Sequence, residues 1–313
     1  MARTPEQPRA RNEDQPPTGD RPERTLLLSV DFEDWHQLVR RRVSASGWQQ
    51  PGPALARQTN ALLDLLDELH ARATFFVLGM AARSHPDLLE AVVARGHEIG
   101  CHGDAHLPVL GQTPQEFAAD LRAARSTIEQ LTGSRPIGYR APAFSIPRDA
   151  RWAYEVLEAE GFAYDSSQHE SPAGRGADVA PYELELPNGH TLWELPVAVW
   201  SAGRANLRVG GASYWSIAPR RLVLHGLSRA GRLAGLYLHP HELDPQPLEP
   251  LLPPGTGVPQ RAQARLRALQ RNAARRRAAA VLRTIAQRFR LISYGEGHAT
   301  LSAGSGTRPR ALS

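Results

Sequence analysis

Acidic residues follow the first apolar run of the chain. Residues 26–28 are all Leu, and Val30 comes just before the acids Asp31, Glu33 and Asp34. A buried apolar run followed at once by acids is typical of a strand that delivers carboxylates to its C-terminal end, where α/β folds place their chemistry. On its own, the pattern fits a strand that runs into a polar loop equally well.

A second chemical motif, His102 and His106, follows another apolar strand pattern. Imidazole nitrogens suit a divalent ion such as Zn²⁺, and a carboxylate from the first strand would supply a third ligand. Two histidines and one carboxylate leave positions open for water and substrate, as catalytic metal sites do. A further carboxylate nearby could take a proton from a metal-bound water. The two motifs together predict a catalytic metal site.

The single cysteine, Cys101, directly precedes the histidine motif. It permits no intramolecular disulfide. As a thiolate it could be a ligand or a nucleophile, but we favour a small buried residue at the end of a strand.

Strand and helix patterns alternate along most of the chain. Leu residues recur at helical spacing over residues 55–70, and Thr113-Pro-Gln-Glu116 has the form of a capping box that opens a helix. Such alternation favours a parallel sheet or a (β/α) barrel. No glycine-rich phosphate loop follows the first strand, so nucleotide binding of the Rossmann or P-loop type is disfavoured.

The 313 residues are enough to bury a substantial core. We expect a domain over residues 25–296, with a disordered arm over residues 1–24 and a disordered tail over residues 297–313. No apolar run has the length of a signal-peptide core or of a membrane span. We therefore expect a cytoplasmic protein.

Positive charge is concentrated in residues 261–290, which hold ten Arg and no acid, whereas the whole chain has a net charge of +5. All 37 basic residues are Arg, which indicates a coding bias rather than selection for phosphate contacts. We therefore expect no nucleic-acid partner. We predict that this segment forms a helix, which could contact an anionic membrane surface peripherally.

The motifs and their order resemble the polysaccharide deacetylase (NodB homology) family, the metal-dependent carbohydrate esterases of family four. The resemblance extends over residues 25–245 and rests on five short matches. These are Ser29-Val-Asp31-Phe-Glu33-Asp34, the pair His102 and His106, Arg140 with Pro142 and Phe144, Asp165 at a later strand end, and Leu236-Tyr-Leu-His239. Five matches in order are far more specific than any one of them.

The resemblance implies an α/β fold, a deformed (β/α) barrel of the NodB homology type. The sequence is most similar to a subgroup that carries Asp-x-Glu-Asp-aromatic, Tyr-Arg-Ala-Pro-x-Phe-Ser and Leu-His-Pro-x-Glu-Leu. That subgroup is associated with exopolysaccharide biosynthesis in bacteria. It has a C-terminal extension, which here would fall within residues 180–296.

The resemblance also implies roles for the matched residues outside the histidine pair. Asp31 would be the general base, and His239 the general acid that protonates the leaving amine. Arg140 would orient the base, and Asp165 would pair with Arg140 or support the acid.

The third metal ligand is where the sequence departs from the usual form of the family, which has two adjacent Asp residues. The histidine pair would bind the metal, most simply Zn²⁺, although Co²⁺, Mn²⁺ or Ni²⁺ accept the same ligands. On a strand, Glu33 would point to the same side as Asp31. A turn of the backbone after Phe32 would instead present Asp34. We favour Asp34 as the ligand, with Glu33 as the alternative.

Three residues are expected on the substrate side. Pro142 and Phe144 belong to the third motif, and Trp215 follows the Gly-rich stretch that begins at Gly210. We expect Trp215 to be exposed and to stack on a sugar ring. His241 stands where related sequences often have Trp, and we expect it in the wall of the pocket.

The activity implied is the metal-dependent removal of N-acetyl groups from an N-acetylated exopolysaccharide or its lipid-linked precursor. The products would be acetate and a free amine on the sugar. Two alternatives stay open. One is a related amide hydrolase or deformylase with a non-polymeric substrate, and the other is an inactive saccharide-binding module.

Overall fold

The structure is a computed structural model and describes residues 24–147, 149–169, 179–202 and 205–305. The predicted disordered arm lies, apart from Arg24, outside the described residues. Strands and helices alternate through the described part of the chain, which confirms the α/β class.

Strands of the described chain form one large sheet and a small ribbon. They are β1 (Thr25–Phe32), β2 (Thr74–Val77), β3 (Glu98–Cys101), β4 (Gly138–Tyr139), β5 (Tyr164–Asp165), β6 (Tyr182–Glu185), β7 (Thr191–Glu194), β8 (Trp200–Ala202), β9 (Ala205–Leu207), β10 (Gly235–Leu238) and β11 (Arg290–Ile292). The large sheet has the order β10-β1-β2-β3-β4-β5-β7-β6, and β11 pairs with the first half of β1. Its neighbouring strands are parallel, except that β6 runs antiparallel to β7.

The sheet curls so that the chain beyond β7 returns to β10. Val197 makes a parallel bridge with Gly235, and Gly211 makes another with Tyr237. The result is a half-barrel of mostly parallel strands, which confirms the predicted deformed barrel. Because the strands are parallel, the C-terminal ends of β1, β3, β4 and β10 lie at one rim.

Helices follow most of the strands and cover the outside of the sheet. They are α1 (Trp35–Arg42), α2 (Leu55–Glu68), α3 (Gly79–Ser84), α4 (Pro86–Ala94), α5 (Pro114–Thr132), α6 (Arg151–Ala159), α7 (Ala212–Trp215), α8 (Arg220–Arg229), α9 (Pro240–Leu243), α10 (Val258–Arg275), α11 (Ala278–Ala286) and α12 (Tyr294–Ser305). Pro142–Phe144 forms a 3₁₀ turn. Among the described residues, no helix combines the length and apolar character needed to cross a membrane.

Strand β1 lies in the middle of the fold, and its alternating side chains separate two parts of the core. Leu28 and Val30 belong to the large cluster that includes side chains of the outer helices. Leu27 belongs to a second, smaller cluster with Phe76 and Tyr294 inside the curl. Since side chains alternate along a strand, Asp31 shares the inner side with Leu27. The first acid of the sequence motif therefore points into the half-barrel.

Two predictions about the C-terminal part of the chain are wrong. Residues 297–305 belong to α12 rather than to a disordered tail, because the first residue of this helix, Tyr294, is buried against Phe76. The remaining residues, 306–313, lie outside the described residues. The predicted single Arg-rich helix is two helices, α10 and α11, and Arg275 at the break is buried and donates to the backbone carbonyl of His241 at 2.7 Å.

We expect Thr113→Ala to lower the free energy of unfolding by about 1 kcal/mol, because the capping box of α5 is lost. The Thr113 hydroxyl accepts from the Glu116 N–H at 3.3 Å, and the Glu116 carboxylate accepts from the Thr113 N–H at 2.8 Å. Urea denaturation followed by circular dichroism measures the change. Gln115→Ala, an exposed change in the same turn, is the matched control. An equal effect of the two variants would contradict the assignment.

Candidate active site

Polar side chains from four strand ends meet at the C-terminal rim of the half-barrel. Strands β1, β3, β4 and β10 are contiguous in the sheet apart from β2, so their ends lie side by side. The residues delivered there are Asp31, Glu33, His102, His106, Arg140 and His239. The structure thus brings together six residues that the sequence singled out.

Glu33, His102 and His106 lie close enough to hold one metal ion. Glu33 Oε2 is 3.0 Å from His106 Nε2 and 3.7 Å from His102 Nε2. His102 Nδ1 lies 2.7 Å from the carbonyl oxygen of Arg140, to which it donates, so Nε2 is the ring nitrogen directed at Glu33 and at a metal bound there. Two imidazoles and a carboxylate in this arrangement fit a divalent metal.

The charge state of Glu33 also suits a metal ligand. Burial raises the pKa of the Glu33 carboxyl, but the charges and hydrogen bonds of the neighbouring histidines lower it by more. The resulting pKa is well below the usual value, so the carboxylate is ionised at neutral pH.

Asp34 caps helix α1, so our preference for it as the metal ligand is wrong. The Asp34 carboxylate caps α1 by accepting the N–H of His36 at 2.7 Å, and its other oxygen accepts the N–H of Gly52. A Cβ at Gly52 would lie 2.3 Å from the His36 ring, so glycine is required for this approach. Both oxygens of Asp34 are therefore engaged away from the histidines. The carboxylate that faces the histidine pair is that of Glu33, the alternative considered above.

The loop that carries the histidine pair is held from two sides. Asp120 of α5 accepts the backbone N–H of Asp104 at 2.9 Å and that of Ala105 at 3.4 Å. Arg41 of α1 donates to the carbonyl oxygens of Ala105 and His106, both at 2.8 Å. These contacts allow two histidines four residues apart to converge without a helix.

Arg140 is fully buried and binds Asp31. Its Nη1 lies 2.7 Å from Asp31 Oδ1 and 2.6 Å from Ser29 Oγ, and its Nη2 donates to Ser166 Oγ at 2.7 Å. Burial lowers the pKa of Arg140, but Asp31 raises it by more, so the guanidinium stays charged. The ion pair fixes one oxygen of Asp31 and leaves Oδ2 towards the cleft.

His239 faces the two acids Asp31 and Glu33. Its Nε2 is 3.1 Å from Glu33 Oε1 and 4.0 Å from Asp31 Oδ2, and its Nδ1 is 3.1 Å from Glu242 Oε2. Burial lowers the pKa of His239, but Glu242 and Glu33 raise it to about 10. The same pairing holds the pKa of Glu242 at about 2 against the effect of burial.

Glu242 was missed as a site residue in the sequence, although a signal for it was present. It stands three residues after His239 and follows Pro240, which is the spacing of a helix capping box. The Glu242 carboxylate accepts the backbone N–H of His239 at 2.9 Å as well as facing its ring. It therefore fixes both the backbone and the ring orientation of His239.

Asp165 does not pair with Arg140 in the described structure. Its carboxylate accepts from the Ser167 hydroxyl at 2.7 Å and lies against the buried Glu194 of β7. Burial raises the pKa of both carboxyl groups, and repulsion from Asp165 raises that of Glu194 further, so Glu194 holds the proton between them. Asp165 thus supports the backbone beside Arg140 rather than the ion pair.

Of the three expected substrate-side residues, none lines the cavity beside Glu33. Pro142 is buried, and half-buried Phe144 packs against Tyr237 with ring centroids 5.0 Å apart. Trp215 was expected to be exposed, and this is wrong. It has no exposed surface, and its Nε1 donates to the Val209 carbonyl at 2.8 Å. The Gly-rich stretch before it therefore closes the core instead of presenting a ring to solvent.

Cys101 is a buried residue at the end of β3, as favoured above. Burial raises the pKa of its thiol to about 12. The sulfur is consequently protonated at neutral pH and is neither a thiolate ligand nor a nucleophile.

Comparison with protein families accounts for most of this architecture. Residues 49–162 match the family model described as polysaccharide deacetylase. This part of the chain, about a third of its length, is therefore similar to polysaccharide deacetylases. Residues 164–295 match a second model, described as a domain of unknown function (DUF3473). The histidine pair lies in the first match and His239 with Glu242 in the second, whereas Asp31 and Glu33 precede both. The site therefore combines residues of both matched segments with the acids of β1.

Curated relatives that match part of this chain are named as peptidoglycan deacetylases or as deacetylase-like proteins. A peptidoglycan deacetylase-like protein of Gibberella zeae is 35% identical over 158 residues, which are 45% of this chain and 43% of that protein. A peptidoglycan deacetylase of Helicobacter pylori is 32% identical over 106 residues, 34% of this chain and 35% of that protein. The chain therefore spans less than half the length of these curated relatives.

One solved structure is similar over almost the whole length. It is the crystal structure of a putative polysaccharide deacetylase from Mycobacterium smegmatis, with a TM-score of 0.57 and 22% identity. The similarity covers 99% of this chain and 98% of that one. At this identity the comparison establishes the shared fold.

We expect Glu33→Gln to weaken Zn²⁺ binding by at least about 100-fold, because a direct ligand contributes more than the 10- to 100-fold of supporting groups. Asp34→Ala should leave the affinity nearly unchanged but lower the free energy of unfolding by about 1–2 kcal/mol, since a helix cap is lost. Calorimetric titration of metal-free protein and urea denaturation give the two quantities. Loss of metal in Asp34→Ala but not in Glu33→Gln would restore Asp34 as the ligand.

Proposed function

We propose that the chain is a hydrolase that removes N-acetyl groups from an N-acetylated polysaccharide. The observation that carries this proposal is the meeting of one candidate metal triad, one carboxylate held by arginine and one imidazole in a single cleft. A metal at Glu33, His102 and His106 would polarise the amide carbonyl and make a bound water more acidic. The relatives named as deacetylases support the same reaction class.

Asp31 is the proposed general base. Its Oδ1 is occupied by Arg140, and its Oδ2 faces the cleft 4.0 Å from His239 Nε2. The ion pair with Arg140 fixes the direction of the Asp31 carboxylate, so Oδ2 can accept the proton of an attacking water.

His239 is the proposed general acid. Its Nε2 faces the acids, while its Nδ1 is held by Glu242. A proton on Nε2 can pass to the departing nitrogen when the carbon–nitrogen bond breaks, and the products are acetate and a free amine.

We propose an exopolysaccharide or its lipid-linked precursor as the substrate, and Zn²⁺ as the metal. Both rest on the motif resemblance and on the donor set of two imidazoles and a carboxylate. A cytoplasmic location, with peripheral membrane contact through the Arg-rich segment, stays a prediction from the sequence.

We expect zinc-loaded protein to release acetate from N-acetylglucosamine oligomers, with Asp31→Asn lowering kcat by about 10²–10⁴-fold because general base catalysis is lost. His102→Ala should lose both the metal and the activity. Acetate is measured by a coupled assay, and Asp149→Asn, an exposed change, is the control.

Two results would contradict this function. Absence of release, with a metal that binds the wild type but not His102→Ala, would indicate an amide hydrolase with another substrate. Absence of both release and metal binding would indicate an inactive saccharide-binding module.

Glu242→Gln should lower kcat on the order of 10²-fold, because the ring of His239, the proposed acid, loses its charged partner. Zn²⁺ affinity should stay nearly unchanged, because Glu242 contacts none of the candidate metal ligands. Steady-state kinetics separate kcat from KM, and calorimetry reports the metal. Glu249→Gln, at an exposed position, is the matched control. A loss confined to metal affinity would mean that Glu242 supports the metal rather than the acid.

A further inference from the structure

A cavity of about 550 Å³ opens beside Glu33 and His106 and extends between α1 and α10. We call it the basic cleft. Its lining residues include Arg41, Arg42, Arg267, Arg271, Trp35 and His241. The volume is within the ordinary range for small-ligand sites. The space next to the candidate metal triad is therefore large enough to hold part of a saccharide chain.

The charges of the basic cleft do not cancel among the described residues. Four guanidinium groups line it, and the single carboxylate in its lining is Glu33, which faces the histidine pair. Glu242 lies 3.9 Å from Arg271, but its carboxylate is already engaged by His239. The cleft thus has an excess of positive charge beside the reaction centre.

Polar atoms of two side chains in this wall are buried without a hydrogen-bond partner in the described structure. His241 is 2% exposed, yet neither of its ring nitrogens makes a hydrogen bond. The Nε of half-buried Arg267 is likewise buried and unpaired. Buried polar atoms are nearly always hydrogen-bonded, because an unpaired one loses its hydrogen bonds to water without replacement. These atoms are consequently suited to bind a ligand.

Two of the other three arginines of the cleft are held in place by hydrogen bonds to the protein. Arg41 donates to two carbonyl oxygens of the loop that carries the histidine pair, and Arg271 donates to the Ser213 hydroxyl at 2.6 Å. Arg267 precedes Arg271 by four residues on α10, so the two side chains lie on one face of the helix. Of these two arginines, Arg267 is the one whose Nε has no hydrogen-bond partner in the described structure.

We infer that the basic cleft binds an anionic group, a carboxylate or a phosphate, on the saccharide residue next to the one that is deacetylated. Arg267 would bind the anion with its planar fork, which matches both groups, and Arg271 would add charge. His241 would hydrogen-bond a hydroxyl of the same residue. The inference rests on the proposed function, and it names the class of substrate that the site would take.

The test is calorimetric binding to zinc-loaded Asp31→Asn protein, in which turnover is suppressed. The carboxylate probe is a hyaluronan hexasaccharide, paired with neutral chitohexaose. The phosphate probe is N,N′-diacetylchitobiose 1-phosphate, which carries its phosphate on the sugar next to an N-acetylated one, paired with N,N′-diacetylchitobiose. We expect the anionic member of one pair to bind about tenfold or more tightly than its neutral partner, since a charged hydrogen bond contributes about that factor. The pair that shows the preference identifies the anion.

Three variants in the same background assign the preference. Arg267→Gln should abolish it, Arg267→Lys should retain part of it, and Arg265→Gln should leave it intact. Arg265 is exposed on the same helix and does not line the cleft. Retention in Arg267→Lys excludes misfolding as the cause of the loss. Equal affinities within both pairs, including no binding, or an equal preference in Arg267→Gln and Arg265→Gln, would overturn the inference.

Acetate release by the wild type separates the two proposals. An anionic preference without release from any probe would support the inference and contradict the proposed function. Release with equal binding of neutral and anionic probes would support the function and overturn the inference.

Discussion

The buried charge of Arg140 is the feature on which the rest of the site depends. A guanidinium with no exposed surface is tolerated only if it is paired and fully hydrogen-bonded, because an unpaired buried charge costs several kcal/mol. Its pairing with Asp31 fixes the carboxylate at 2.7 Å, and the carbonyl oxygen of the same residue fixes the ring of His102. The residue that directly follows β4 therefore aligns the proposed base and a candidate metal ligand at the same time.

Aromatic rings complete the surroundings of this charge. The guanidinium carbon of Arg140 lies 4.3 Å from the ring centroid of Phe76, 5.3 Å from that of Tyr294 and 5.9 Å from that of Tyr237. Cation–π contacts of this kind stabilise a cation that is removed from water. Phe76 comes from the segment that matches the deacetylase family, whereas Tyr237 and Tyr294 come from the segment of unknown function. The second segment is thus part of the site rather than an appendage.

The fold also divides the Arg-rich segment, which looks uniform in the sequence. Arg275 is buried and donates hydrogen bonds to backbone carbonyls, whereas Arg283 pairs with Glu68 at 2.7 Å. Arg267 lines the basic cleft beside the candidate metal triad. Others, such as Arg265, stay exposed. Net charge along a sequence therefore does not reveal which arginines form a structural contact, a ligand site or a solvated surface, since that depends on which element packs against each turn.

The sequence by itself determined the α/β class, the acids that end β1 and the histidine pair. Each follows from a local pattern, such as apolar runs, the two-residue period of a strand and the spacing of a capping box. These patterns specify which face a side chain occupies, and so they predicted that acids and histidines would meet at one rim.

Only the tertiary structure decided which partner each of these side chains takes. Glu33 faces the histidines because Asp34 is engaged by Gly52, eighteen positions away in the chain. Asp165 meets Glu194 instead of Arg140, and Trp215 is buried by a strand bridge that the Gly-rich stretch makes with Tyr237. The physical reason is that buried polar groups compete for a few hydrogen-bond partners, and the winner is set by contacts between segments far apart in sequence.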